Sequence, residues 1–116
     1  CMPHGTARIA DIYKVASEAT LGGMLKPQPR PMVCVAERPT DPLAWTAMAR
    51  TVSAGDPEVD LASAADASLG LSEDGWWSTR FIHSVSKSRT DKIGCRYVST
   101  LQDPLRKQVL DHYRNR

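Results

Sequence analysis

The chain has no apolar stretch approaching the ~20 residues that a bilayer span needs, so no membrane-crossing helix is expected. Its start, Cys1-Met2-Pro3-His4-Gly5, has neither the basic nor the apolar part of a secretory leader. The three cysteines, Cys1, Cys34 and Cys95, are odd in number, widely spaced and form no C-x-x-C pair, which points away from a zinc site and from a disulfide framework. A reducing cytoplasm is the expected setting, without metal or cofactor, and Cys34 reads as a small core residue rather than a reactive thiol. There is no Walker A loop, no G-x-S-x-G and no H-E-x-x-H. Internal repeats and low-complexity segments are also missing. These absences leave a single domain over residues 1–116, with 1–8 as a loose tail.

Charge is present but unevenly distributed. Between Thr51 and Thr79 there are six acidic residues and no Lys or Arg, whereas Arg80 to Arg116 holds nine basic residues against three acidic. Such segregation either marks a face suited to an anion or is an ordinary solvated surface.

The most apolar run is Arg30-Pro31-Met32-Val33-Cys34-Val35-Ala36-Glu37. It lies between a Gly/Pro-loaded segment and the turn Arg38-Pro39-Thr40-Asp41-Pro42. A short Val-rich run between such punctuators predicts a buried strand over 31–37. Arg30 then stands at a loop-to-strand corner, its backbone restricted by the proline that follows. A guanidinium so placed is suited to phosphate.

Ile9 to Val15 predicts the first strand, with Ile9, Tyr13 and Val15 on one face and Ile12 on the other. Residues 16–29 form a long loop, of a length that is usually functional or mobile. Leu43 to Val52 alternates, Trp45, Ala47, Ala49 and Thr51 against Thr46, Met48 and Arg50, and predicts a third strand. Glu58 to Leu61 reads as a short strand, and 62–72 as a loop or one poor helical turn. Gly75 to Val85 reads as a long strand, with Trp77, Thr79, Phe81, His83 and Val85 on one face. A basic loop (Lys87, Arg89, Lys92) and a short Ile93-Gly94-Cys95 segment follow. A closing helix is expected with Asp103 as N-cap, Pro104 at its first position and a stripe of Leu105, Val109, Leu110 and Tyr113. The fold class is therefore mainly β: a small, curled antiparallel sheet or partly open barrel with a C-terminal helix.

Few residues stand out for chemistry. His83 shares a strand face with Phe81 and Val85, the pattern of a structural histidine. Trp76 and Trp77 point to opposite faces, one expected in the core and the other able to stack on a base. Trp77 is taken as the candidate for stacking.

The order of elements resembles the PemK/MazF-like toxins of toxin–antitoxin systems. Four patches carry the resemblance: Asp11-Ile12-Tyr13-Lys14-Val15; Arg30-Pro31-Met32-Val33-Cys34-Val35; Ala49-Arg50-Thr51, where the family often has Pro-x-Thr; and a C-terminal half with Gly70-Leu71, Ser86-Lys87-Ser88-Arg89, Ile93-Gly94 and the closing helix. The resemblance implies an SH3-like, partly open barrel of the CcdB/PemK kind. It implies metal-independent cleavage of single-stranded RNA by 2'-hydroxyl attack, leaving a 2',3'-cyclic phosphate and a 5'-hydroxyl. Arg30 matches the family arginine on the scissile phosphate, and Thr51 the threonine that hydrogen-bonds the same group. Lys26, Gln28, Arg80, Trp77 and His83 are the expected RNA contacts. A homodimer and a cognate antitoxin peptide are the implied partners. The chain departs from the family at Thr79-Arg80, where many members carry an Asp-Gln pair. No carboxylate stands there to take the 2'-hydroxyl proton, and His83 is the candidate substitute. The competing readings are a non-cleaving RNA- or protein-binding module of the same fold and, less favoured, a CcdB-like gyrase inhibitor.

Overall fold

The computed structural model describes residues 7–16, 20, 29–38, 40–41, 43–53, 55–87 and 95–115. The element order is β1 (Asp11–Val15), β2 (Arg30–Ala36), β3 (Ala44–Thr51), β4 (Leu61–Ser63), a 3-10 turn (Ala67–Leu69), β5 (Gly75–Ser86), β6 (Cys95–Thr100) and α1 (Leu105–Arg114). The strands form one antiparallel, curled sheet in the order β4-β5-β3-β2-β1-β6, closed at the C-terminus by the helix. This is the expected fold class.

The sheet buries side chains on both faces, as the apolar content of its central strands requires. Tyr13, Val15, Met32, Cys34, Trp45 and Val85 pack together on one face. Ile12, Val33, Met48, Trp77 and Leu101 pack on the other, where α1 adds Val109 and Leu110. The β3 alternation predicted from sequence holds, with Trp45, Ala47 and Ala49 on the first face and Met48 on the second. We call these the Tyr13 face and the helix face.

Several expectations are corrected. β1 begins at Asp11, because Ile9 and Ala10 form a turn in which Ala10 takes φ 76°. Ile9 consequently packs on the helix face instead of sharing the face of Tyr13 and Val15. The strand expected over 58–61 is displaced to Leu61–Ser63. The backbone carbonyl of Asp56 accepts from the N–H groups of Val59 and Asp60, and its Oδ1 accepts from Glu58 N–H, so these residues close a turn. The 62–72 segment holds the rest of that strand and the 3-10 turn, started by Asp66, whose Oδ1 accepts from Ser68 N–H, and ended by Gly70 at φ 73°.

Alternation along β5 also breaks. Met48 pairs with Ile82 but Arg50 pairs with Trp77, so two steps along β3 answer to five along β5. An odd mismatch inverts the alternation. Trp77 and Ile82 therefore share the helix face, while Phe81 and Val85 lie on the Tyr13 face. β6 was not expected beyond Cys95; it pairs with β1 at the sheet edge. In α1 the N-cap position is Pro104, with no side-chain capping hydrogen bond, rather than Asp103. Val109 and Leu110 of the predicted stripe are buried, and Leu105 is 42 % exposed.

Candidate functional site

Antiparallel pairing brings the end of β1, the start of β2 and the end of β3 to one end of the sheet. Arg30 is the first residue of β2, half-buried, with the exposed Pro29 before it. β2 and β3 pair Met32 with Ala49, and their register shift lies far away, between Cys34 and Ala36. The last bridge of this pair is Met32–Ala49; extended by two residues, the same register would bring Arg30, bridged to Val15 of β1, towards Thr51, the last residue of β3, bridged to Trp76 of β5. Directly opposed residues carry their side chains on the same face, a few ångströms apart. Arg30 follows Met32, and Thr51 follows Ala49, onto the Tyr13 face. Thr51 is buried.

His83 is also on this face, paired with Ala47. Burial holds its imidazole below the ordinary value, and the positive charge of Arg30 adds to the effect. His83, level with Ala47, stands four residues back along β3 from Thr51 and does not line the cleft below, so Arg30 reaches it through its field, and both effects favour the neutral imidazole. Cys34, on the same sheet face, is completely buried, and burial pushes its thiol up to about 12. It is a core residue, and its thiol is too weak an acid to form a nucleophilic thiolate near neutrality.

A cleft of about 380 Å³ opens at this end of the sheet, lined by Lys14, Arg30, Arg50, Ser53, Ser72 and Glu73 among others. Three cations therefore face one carboxylate. Arg50 is only 4 % exposed. Its Nε donates to Ser63 Oγ at 3.0 Å, and its Nη2 donates to the carbonyls of Ser63 and Glu73 at 2.8 and 2.6 Å. Burial pulls its pKa down. Gly70 and the residues after it wall the cleft. A Cβ at Gly70 would sit 2.3 Å from Val98 Cγ1, and with φ +73° the position suits only glycine.

Some of the expected site residues are elsewhere. Trp77 is 2 % exposed and packed in the core beneath the helix. Its ring has no open surface for a base, and stacking there is corrected. Trp76 is the half-buried member of the pair; its ring lies against Gly55, where a Cβ would meet it at 1.9 Å. Arg80, expected as an RNA contact, is drawn to Asp60. Its Nη2 donates to Asp60 Oδ2 at 2.5 Å and its Nε to Oδ1 at 3.4 Å, and its guanidinium lies 5.1 Å from the Phe81 ring centroid. Lys87 donates its Nζ to the carbonyls of Arg38 and Asp41, and so fastens a turn. Lys26 and Gln28, with Arg89 and Lys92 of the basic loop, lie outside the described residues.

Sequence reasoning missed Lys14, Arg50 and Asp60. Arg50 was visible as a residue on the face of Met48 and as the middle of the Ala49-Arg50-Thr51 patch, but nothing in one strand shows what covers its guanidinium. A smaller apolar cavity of about 110 Å³ lies between β4, the 3-10 turn and α1, lined mainly by Leu61, Leu69, Trp77, Leu101 and Val109. Ser63, Asp66 and Gln108 are the polar side chains on its lining. Among the described residues no three His, Cys, Asp or Glu side chains form a metal-binding group, and no helix is long and apolar enough to cross a membrane.

Comparison with protein-family models, with curated proteins and with solved structures finds no match for this chain.

Proposed function

We propose that this protein is an endoribonuclease of the PemK/MazF toxin kind, cutting single-stranded RNA at Arg30 and Thr51 and held in check by an antitoxin peptide. The observation that supports the reading is Arg30 at the first position of β2, lining a cleft that Lys14 and Arg50 also line, with Thr51 ending the strand that pairs with β2. Among the described residues Arg30 enters neither ion pair, Arg38–Asp41 or Arg80–Asp60, so its fork is not consumed by a strand-end contact there.

In this mechanism the 2'-hydroxyl oxygen attacks the adjacent phosphorus, the new O2'–P bond forms and the P–O5' bond breaks. Neutral His83 takes the 2'-hydroxyl proton. Arg30 neutralises charge on the non-bridging oxygens through paired, charge-assisted hydrogen bonds, and Thr51 donates its hydroxyl to the same group. The departing 5'-oxygen takes up a proton from solvent and His83 releases the one it accepted, giving a 5'-hydroxyl and a 2',3'-cyclic phosphate. No metal is required for this displacement. A cytoplasmic setting and a homodimer belong to the same proposal.

One observation favours a second reading, a non-cleaving RNA-binding module. Thr79-Arg80 supplies no carboxylate, and the nearby Asp60 is buried and hydrogen-bonded to Arg80. A single experiment separates the two. Purified protein is incubated with long single-stranded RNA in EDTA, and the new 5' ends are mapped. Discrete cuts bearing 5'-hydroxyls, lost in Arg30→Ala, are expected. Intact RNA on several long templates, with folded protein free of antitoxin, moves the assignment to the binding module. A topoisomerase inhibition assay tests the gyrase-inhibitor alternative.

A further inference from the structure

The cleft holds more positive charge than one phosphodiester on the Arg30–Thr51 pair needs. Lys14 lies on the face of Ile12, and Arg50 on the face of Met48, both on the helix side of the sheet. Arg30, Thr51 and His83 belong to the Tyr13 side. The cleft therefore wraps around the end of the sheet and joins the two faces, with Arg30 lining it from one side and Lys14 and Arg50 from the other.

Arg50 is the unusual member. It is buried, its hydrogen-bond acceptors are two carbonyls and a hydroxyl, and it belongs to neither ion pair among the described residues. Buried charges are normally paired. The acidic groups nearby, Glu73 on the cleft wall and Asp74 beside it, are both exposed, and Asp74 Oδ1 accepts from Ala65 N–H. Lys14 adds a second cation, and cross-strand pairing of Lys14 with Arg96 continues the positive row onto β6. Ser53 and Ser72 supply hydroxyls to the same cleft.

We propose that the cleft formed by Lys14, Arg50 and Ser72 is a second phosphate site, holding the phosphate that neighbours the scissile one in the RNA strand. For the identity of its ligand this rests on the RNA reading above. A strand whose reacting phosphate lies between Arg30 and Thr51 continues over the sheet end, where its next phosphate meets Lys14 and the rim beside Arg50. The buried guanidinium contributes field, and Lys14 contributes direct hydrogen bonds. Such a site makes the protein favour a substrate with at least two phosphates over a dinucleoside monophosphate.

The test uses uncleavable 2'-O-methyl dinucleotides: UpU, pUpU and UpUp. Titration calorimetry at low salt is expected to give one of the two phosphate-bearing probes about a tenfold tighter affinity than UpU, the gain of one charge-assisted contact. That ratio falls towards one in Lys14→Ala. It does so equally in Ser72→Glu, which places a carboxylate on an exposed wall of the cleft without touching the core, and thermal melting checks that both variants are folded. Equal affinity for all three probes, a gain that survives both variants, or no binding at millimolar probe overturns the second site. The cleavage assay reads the chemistry separately. Cutting without a phosphate gain removes the second site alone, and a phosphate gain without cutting removes the ribonuclease chemistry alone.

Discussion

Two arginines of this protein are held in opposite ways. Arg80 has a side chain 41 % exposed, yet it is matched by a carboxylate, Asp60, that solvent does not reach. Arg50 is buried, held by carbonyls and a hydroxyl rather than by an ion pair, with the carboxylates of Asp74 and Glu73 acting on it only through their field. The first arrangement joins the turn before β4 to β5 and asks nothing of a ligand. The second keeps a positive field in a cleft that Lys14 and Arg30 also line. Exposure alone is thus a poor guide to which cations are available to an anion. The position of the nearest carboxylate decides.

Arg30, the third cation of the cleft, should respond most strongly to substitution. Arg30→Ala is expected to lower the RNA cleavage rate by about 10²–10³-fold, the usual loss for one donor to a developing oxyanion, with a change in stability within about 0.5 kcal/mol. Rates on one mapped RNA site, together with a denaturation curve, check both halves. A large loss of stability would place Arg30 with Arg80 as a structural cation.

His83→Ala is next, expected to slow cleavage by about a hundredfold, the lower range for general-base catalysis. Burial and Arg30 lower the His83 pKa below 6.5, so the wild type should keep its active, neutral imidazole at pH 7 and lose rate only as pH falls below that ordinary value. The acid limb should disappear in the variant. Wild-type rates for His83→Ala from pH 5 to 8 would return His83 to a purely structural role.

Asp60→Ala tests the compensated side and should destabilise the fold by about 1–3 kcal/mol, because Asp56 N–H and Arg80 lose a buried acceptor. Burial pushes the Asp60 carboxyl up, but hydrogen bonds from Arg80, the Asp56 N–H and Ser78 outweigh it and hold the group below its ordinary value of 3.8. A depressed carboxyl contributes stability that is present above the unfolded value and is lost as pH falls through the folded one. Urea midpoints measured from pH 7 downward should therefore fall in acid for the wild type and less steeply for Asp60→Ala. The smallest effect concerns the cleft wall: Gly70→Ala should cost about 1–2 kcal/mol, from its positive φ and the close approach of Val98, read as a shift in the same midpoints.

Legibility from sequence differed by element for identifiable reasons. β2 and β3 were legible because each buries residues in simple alternation, Met32 and Cys34 against Val33 and Val35, Trp45 and Ala47 against Met48. β6 was not, because it is an edge strand whose Arg96 and Tyr97 are exposed and whose pattern is no more apolar than a loop. The two faces of β5 were misassigned because its irregular pairing with β3 inverts the alternation, and that mismatch belongs to the strand pair rather than to either strand. At the candidate site, Arg30 was legible through the proline beside it, whereas Trp77 was misjudged because a tryptophan on a strand reads alike whether a helix covers it or not.

The strand-rich, turn-punctuated character of this chain, its closing helix and the placing of Arg30 at a strand mouth follow from local sequence, since periodicity and proline act locally. Which cations meet depends on the folded arrangement of the strands. Arg50 lies beside Lys14 and Arg30, and Arg80 beside Asp60, through antiparallel pairing of segments distant along the chain, and charge compensation depends on distance in space rather than on separation in sequence.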